Sequence, residues 1–290
     1  MSTDSRASTI LVAVDGSPES DAAVAWAARE SSIRHAPVTL MNVIAPVLAT
    51  VPMEPMFYGP EWFENSARHI LEHAELELRS SLVAPHVAVS TVMGRGHPVG
   101  TVADASRDAQ MLVVGSRGLG AVKSLLLGSV SNGLLHHAHC PVAVIRAYQV
   151  DVRADAPVLV GIDGSETSEA ATALAFDEAS CRGVGLIALH VWSDFGLYIA
   201  DESGWHRYQR EAEELLAERL DEWVTRHPDV DVRREVVCDE PAYRITEAAR
   251  QAQLVVVGSR GRGGFAGMLL GSTSSAVART SSVPIIVVRN

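Results

Sequence analysis

GSRGLGAVKSLLLGSVS, residues 115–131, decides how this chain reads. The apolar run Met111-Leu112-Val113-Val114 leads into it and reads as a buried strand, and Val130 to His139 after it reads as a helix. Gly115, Gly118 and Gly128, with Ser129, Val130 and Ser131, would bare successive backbone N–H groups ahead of that helix. Such donors, added to the positive end of the helix dipole, suit a phosphate group. GSRGRGGFAGMLLGSTS, residues 258–274, repeats the pattern after the strand-like run Leu254 to Val257, with Gly258, Gly261, Gly271, Ser272, Thr273 and Ser274 in the matching places. In both copies two residues separate the first pair of glycines, and nine separate the second glycine from Gly-Ser. One glycine-rich turn is a weak signal, whereas two with matched spacing and flanks are a strong one.

The match extends outward from the loops. Ile10 to Ser17, ILVAVDGS, corresponds to Val158 to Ser165, VLVGIDGS, at an offset of 148 residues, while the glycine loops are offset by 143. The second copy has therefore lost five residues in between, most simply after its second strand. A repeat of this length is a duplicated domain and not a solenoid unit. The expected division is residues 1–147 and 156–290, with 148–155 as linker.

Each copy alternates strands with helices. In the first, strands are expected at Thr9 to Val14, Val38 to Val43, Val87 to Val92, Met111 to Val114 and Pro141 to Arg146. Ser17 and Pro18 supply a helix N-cap and a first-turn proline. A long irregular loop is expected from Ala45 to Pro60, before an amphipathic helix marked by Ala67, Ile70/Leu71, Ala74, Leu78 and Leu82. The matching helix of the second copy shows Tyr208, Ala212, Leu215, Arg219/Leu220 and Trp223. The alternation predicts a doubly wound α/β fold, a mostly parallel sheet covered on both faces. Ligands of such sheets bind at the carboxyl ends of the strands, where the winding reverses. The Asp-Gly-Ser turn and the glycine loop of one copy belong in that same crevice.

Composition narrows the function classes. Of the 290 residues 47% are hydrophobic and 20% charged, as in a globular chain with sizeable cores. A net charge of -11 argues against bulk nucleic-acid or anionic-membrane binding, and neither half is basic: residues 1–150 carry 10 basic and 13 acidic side chains, residues 151–290 carry 14 and 22. Three cysteines without CxxC spacing do not make a disulfide framework. No signal peptide or membrane-spanning run is expected, and the expected location is the cytoplasm.

Asp15 and Asp163 each end a strand beside a glycine, Gly16 and Gly164, where a carboxylate can accept a ribose hydroxyl or hold a divalent metal beside phosphates. The bland alternative is a turn aspartate bonding its own backbone. Arg117 and Lys123 in the first copy, and Arg260 and Arg262 in the second, are candidates to neutralise phosphate. The spacing matches neither a Walker loop nor a dinucleotide fingerprint. His136, His137, His139 and Cys140 form a tempting metal cluster, but the second copy has no counterpart and a plain helix end is the better reading. Trp26, Trp62 and Trp223 read as packing anchors. No catalytic set stands out.

With a strand before it and an Asp-Gly-Ser turn paired to it, Gly-x2-Gly-x9-Gly-Ser resembles the universal stress protein family. The resemblance covers essentially the whole chain, twice, and HAHCPVAVIR and RGRGGFAGMLLGSTS are similar to actinobacterial tandem members. It implies two tandem five-stranded parallel sheets of strand order 3-2-1-4-5, with ATP and a divalent ion, Mg2+ or Mn2+, in each crevice. By motif, Asp15 and Asp163 would sit near the ribose and metal, the loop glycines and serines would hold the phosphates, and backbone groups near Val43 and Val191 would meet the adenine. One departure is that Asp239-Glu240-Pro241 stands where the first copy has Gly96-His97-Pro98. The expected function is an ATP-binding regulator of stress or dormancy physiology with little or no turnover. It would be a homodimer or an intrachain pseudo-dimer joined through its fifth strands, serving a regulatory partner that the sequence does not name. The alternatives are a slow ATPase or autophosphorylating enzyme using Ser129, Ser131, Ser272 or Ser274, and a module for cyclic AMP or another adenine nucleotide.

Overall fold

Thr9–Ala13 (β1) is the strand on which the first unit is built, with Ile10, Leu11 and Val12 all buried. Positive φ at Gly16 (+79°) turns the chain out of it, a conformation that glycine adopts without steric cost. Pro18–Arg34 (α1) then starts under the Ser17 cap, whose hydroxyl accepts from Ser20 N at 3.2 Å, and ends at His35 in the left-handed region. Its expected inner face, Ala23, Trp26, Ala27, Glu30 and Ser31, is buried. Buried Glu30 is partnered one turn on by Arg34, and the second unit repeats the pair as Glu178 with Arg182.

The structure is a computed structural model describing residues 9–46, 59–83, 87–119, 127–147, 153–192, 202–262 and 269–289. Lys123, most of the proline-rich loop within 45–60 and most of the expected linker 148–155 lie outside the described residues. The chain divides into two compact units, residues 1–147 and 148–290.

In the first unit Val38–Ile44 (β2), Pro60–Ser81 (α2), Val89–Arg95 (β3), Pro98–Ala105 (α3), Ala109–Gly115 (β4), Ser129–His137 (α4) and Val142–Ile145 (β5) follow in order. All strand pairs within the unit are parallel, and the order is β3-β2-β1-β4-β5, the doubly wound arrangement expected. The second unit contains Val158–Gly161 (β6), Glu166–Arg182 (α5), Leu186–Trp192 (β7), Glu202–Arg226 (α6), Val232–Cys238 (β8), Pro241–Ala248 (α7), Leu254–Gly258 (β9), Ser272–Thr280 (α8) and Ile285–Val288 (β10). Its order, β10-β9-β6-β7-β8, is the same winding. β7 is offset from β2 by 148 residues and β8 from β3 by 143, so the five-residue loss falls between the second and third strands.

Three expectations need correction. The third strand runs Val89–Arg95 and not Val87 to Val92, because it extends in register beside β2, from Val38↔Val89 to Ile44↔Arg95. On α6 the buried leucines are Leu216 and Leu220, while Leu215 is half-buried, so the helix is rotated about one residue from the expected stripe. Trp26 is buried and Trp223 stacks on Phe176 with ring centroids 6.2 Å apart, but Trp62 is 50% exposed and no core anchor. Among the described residues no helix is long and apolar enough to cross a membrane.

Candidate functional site

The loops after β1 and β4 meet at the carboxyl end of the sheet, on either side of the point where the winding reverses. Asp15 joins them. Its Oδ1 accepts from Ser17 N at 3.0 Å, closing its own turn, and its Oδ2 accepts from Leu119 N at 3.1 Å, across to the glycine loop. Asp163 repeats the clasp: Oδ1 accepts from Ser165 N (2.9 Å) and Ser165 Oγ (2.7 Å), and Oδ2 from Arg262 N (3.1 Å). Each aspartate is thus a turn-former and a bridge at once. An oxygen that accepts one N–H keeps a further lone pair, so the carboxylate can still meet a hydroxyl or a cation.

The glycines have distinct reasons. A Cβ on Gly118 or Gly261 would lie inside van der Waals contact of the Oδ2 of Asp15 or Asp163, so these positions are glycine to let the carboxylate cross. A Cβ on Gly115 would lie 2.7 Å from the carbonyl carbon of Glu19, and one on Gly258 2.8 Å from that of Thr167. Those two glycines let the first turn of α1 or α5 close on the end of β4 or β9. Gly128 N and Gly271 N each donate to a loop carbonyl at 2.7 Å, Ser116 O and Ser259 O, folding the loop back onto itself.

Gly128 and Gly271 are also the N-caps of α4 and α8, and neither helix has a side-chain cap. α1 and α5, by contrast, are capped by Ser17 and Ser165. Among the described residues the first-turn N–H groups of α4 and α8 therefore carry no side-chain acceptor at the end where a helix favours negative charge. They border a crevice. In the first unit it measures about 370 Å³ and is lined by Asp15, Val43, Gly115, Arg117, Gly118, Gly128, Ser129, Val130 and Ser131, together with Met41, Asn42, Pro98 and Val102. In the second it measures about 630 Å³ and is lined by Asp163, Val191, Gly258, Arg260, Gly261, Gly271, Ser272, Thr273 and Ser274, together with His190, Trp192, Pro241, Ile245 and Arg262. The duplicated motifs thus come together, in each unit by itself.

Backbone direction explains the place of Val43. The ladder between β1 and β2 closes with Val14 N donating to Met41 O at 2.9 Å, one residue past the end of β1. Alternation along a parallel strand points the N–H and C=O of Val43 to the same side as those of Met41, beyond the last residue of β1 that bonds there. That leaves one donor and one acceptor facing the crevice. Ile162 N to Leu189 O, also 2.9 Å, ends the second ladder in the same way and places Val191 equivalently.

Some candidates have other employment. Gly16 and Gly164 do not line the crevices; with φ of +79° and +76° they make the turn that aims the aspartates. Ser131 and Ser274 are buried and donate to Gly115 O (2.6 Å) and Gly258 O (2.5 Å), pinning α4 and α8 to the strands. Ser129 and Ser272, by contrast, are exposed on the first helical turn at the crevice, with Thr273 beside Ser272. The Arg117 guanidinium is bound by Glu19, through Nε at 2.9 Å and through Nη2. Among the described residues no group of three or more His, Cys, Asp or Glu side chains is placed to hold a metal, so a divalent ion here would depend on ligand phosphates as well as the aspartate.

Sequence reasoning missed Asn42 and His190. Asn42 Nδ2 donates to Val14 O and His190 Nδ1 meets Ile162 O, both at 2.7 Å, steadying the end of the first strand in each unit. A polar residue at the same repeat position inside two apolar strands, VTLMNVI and LIALHVW, was the available signal. At the far wall Glu240 replaces His97 and caps α7, accepting from Ala242 N (3.1 Å) and Tyr243 N (2.6 Å), while Pro98 and Pro241 line their crevices alike.

Fold and crevice define a class: a duplicated doubly wound α/β protein with a clasped glycine loop at the strand ends of each unit. The universal stress protein family matches residues 7–146 and 156–289, and the chain belongs to that family. A universal stress protein of Mycolicibacterium smegmatis is 52% identical over 283 residues, covering 97% of this chain and 96% of the relative. One of Mycobacterium tuberculosis is 44% identical over 295 residues, covering 100% and 99%. Among solved structures, a universal stress protein from Archaeoglobus fulgidus superposes with a TM-score of 0.71 at 25% identity, covering 98% of this chain and 97% of its own.

Proposed function

We propose that each unit binds one ATP with a divalent ion, Mg2+ or Mn2+, and that occupancy sets which regulatory partner the protein engages under stress or dormancy. The observation that carries this is the N-terminus of α4, and of α8, opening onto the crevice with glycine at the cap and, among the described residues, no side-chain acceptor. An anion supplies the missing acceptors, and a chain of phosphates reaches more of them than a single one does. In this reading Gly118, Gly128, Ser129 and Val130, with Gly261, Gly271, Ser272 and Thr273, surround the phosphates. Asp15 and Asp163 take the ribose or the ion, and the Val43 and Val191 backbones take the donor–acceptor edge of adenine. In this reading turnover is slow or nil; among the described loop serines that line the crevices, Ser129 and Ser272 are the exposed ones. Cyclic AMP would leave most of the cradle unfilled. Self-association of the chain belongs to the same proposal and is tested by its mass in solution.

The test is native mass spectrometry of freshly purified protein, followed by titration with ATP, with cyclic AMP as competitor. Two added ATP masses per chain, or uptake of two on titration with magnesium, is the expected result. A chain that takes up no ATP under either condition removes the nucleotide reading.

A further inference from the structure

The two crevices share backbone geometry but differ in charge, first of all at the second residue of the helix after the first strand. In the first unit that residue is Glu19, 8% exposed, and its carboxylate holds the Arg117 guanidinium. In the second it is Thr167, whose hydroxyl donates to the backbone carbonyl of Arg260 at 2.5 Å and leaves the guanidinium alone. Among the described residues no hydrogen bond or ion pair engages the Arg260 side chain, which is exposed at the crevice wall. The loop residue after the second glycine reinforces the contrast, because Leu119 in the first unit corresponds to Arg262 in the second, and both give their N–H to the aspartate. The neighbouring arginines sense these guanidiniums: Arg146 is lowered by burial and by Arg117, with Glu19 opposing, and Arg289 is lowered by burial and by Arg260.

We infer that Glu19 is a built-in competitor for the ligand: it reserves Arg117 and holds the first crevice to weak polyphosphate binding, while Thr167 releases Arg260 and makes the second crevice the tighter site. The inference rests on the nucleotide reading above and adds the order in which the two sites fill. A phosphate chain entering the first crevice has to displace a carboxylate from a formed ion pair. One entering the second meets a guanidinium that is already available, and charge-assisted contacts of this kind are the strong ones. The preference belongs to the outer phosphates, so it fades from ATP to AMP.

Exchanging the two residues tests this, and each replacement is a side chain that the other unit already accommodates at the same place. ATP is titrated by calorimetry into the full chain and into Glu19→Thr, Thr167→Glu and the double variant. Trp192 lines only the second crevice, and fluorescence change lost in Trp192→Phe assigns that site. Two unequal constants are expected in the unaltered chain. Glu19→Thr should tighten the first site about ten-fold, Thr167→Glu should loosen the second by about as much, and the double variant should reverse the filling order. AMP should show the effect at less than half that size on a logarithmic scale. ATP binding with both sites unmoved by either exchange overturns the inference and leaves the nucleotide reading standing. No ATP uptake at either site overturns that reading and the inference with it.

Discussion

At the scale of single residues, the clasp between Asp15 and the glycine loop makes a sharp demand on position 118. Alanine there puts a methyl group against Oδ2 and breaks the bond to Leu119 N, so Gly118→Ala should cost about 1–3 kcal/mol of stability in urea denaturation as well as weakening any ligand. The same substitution in an Asp15→Ala background should cost less, because the colliding carboxylate is gone. Additive costs in that double-mutant cycle would return Gly118 to ordinary turn geometry. The glycine spacing made the position legible in the sequence, but its reason was not, since the contact partner lies about a hundred residues away. Cys140 is a second case. Burial pushes its thiol up to about 12, with Ser106 and Leu112 opposing, so native protein at pH 8 should alkylate at exposed Cys181 and spare Cys140. The raised value has a sign for stability too. The unfolded thiol ionises first as pH climbs above 9, so this residue's contribution is lost between there and about 12.

At the scale of elements, α4 and α1 are fixed to the sheet by different devices. Ser131 fastens α4 through its hydroxyl on Gly115 O, and Ser131→Ala should cost about 1–2 kcal/mol by leaving that buried carbonyl without its donor. A cost that small effects of surface substitution would equal, under about 0.5 kcal/mol, would show the bond to be dispensable. Strand and helix order was legible throughout, because apolar runs of four to seven residues alternate with helical stripes and do so twice. The missed boundaries have physical causes. β3 takes its length from pairing with β2 and carries Ser90, Thr91 and Arg95 on a largely exposed strand, so its own hydrophobicity could not mark its end. The crevice walls were illegible for a related reason: whether Met41, Val102, Pro98 or Trp192 faces a ligand or a neighbouring helix is decided by tertiary packing and not by residue type.

At the scale of the whole molecule, duplication fixes what can be counted. Each crevice is lined by residues of one unit alone, from Ala13 to Ser131 in the first and from Gly161 to Ser274 in the second. The two ligand equivalents should therefore be separable. Asp15→Ala removes the carboxylate that steadies one glycine loop, and the expected stoichiometry falls from two ATP per chain to one, with the remaining constant that of the second crevice. Asp163→Ala should leave the other. A ligand present at a hundred times its dissociation constant adds about 2.7 kcal/mol to the unit that binds it. Thermal unfolding in ATP and magnesium should then raise both units of the unaltered chain but only one in each variant. Metal dependence adds a further discriminant, because Asp15→Ala should lose more affinity in magnesium than in chelator if the carboxylate helps to hold the ion. Loss of both equivalents from either single substitution would mean that the duplicated units bind as one, and the account of two self-contained crevices would be wrong.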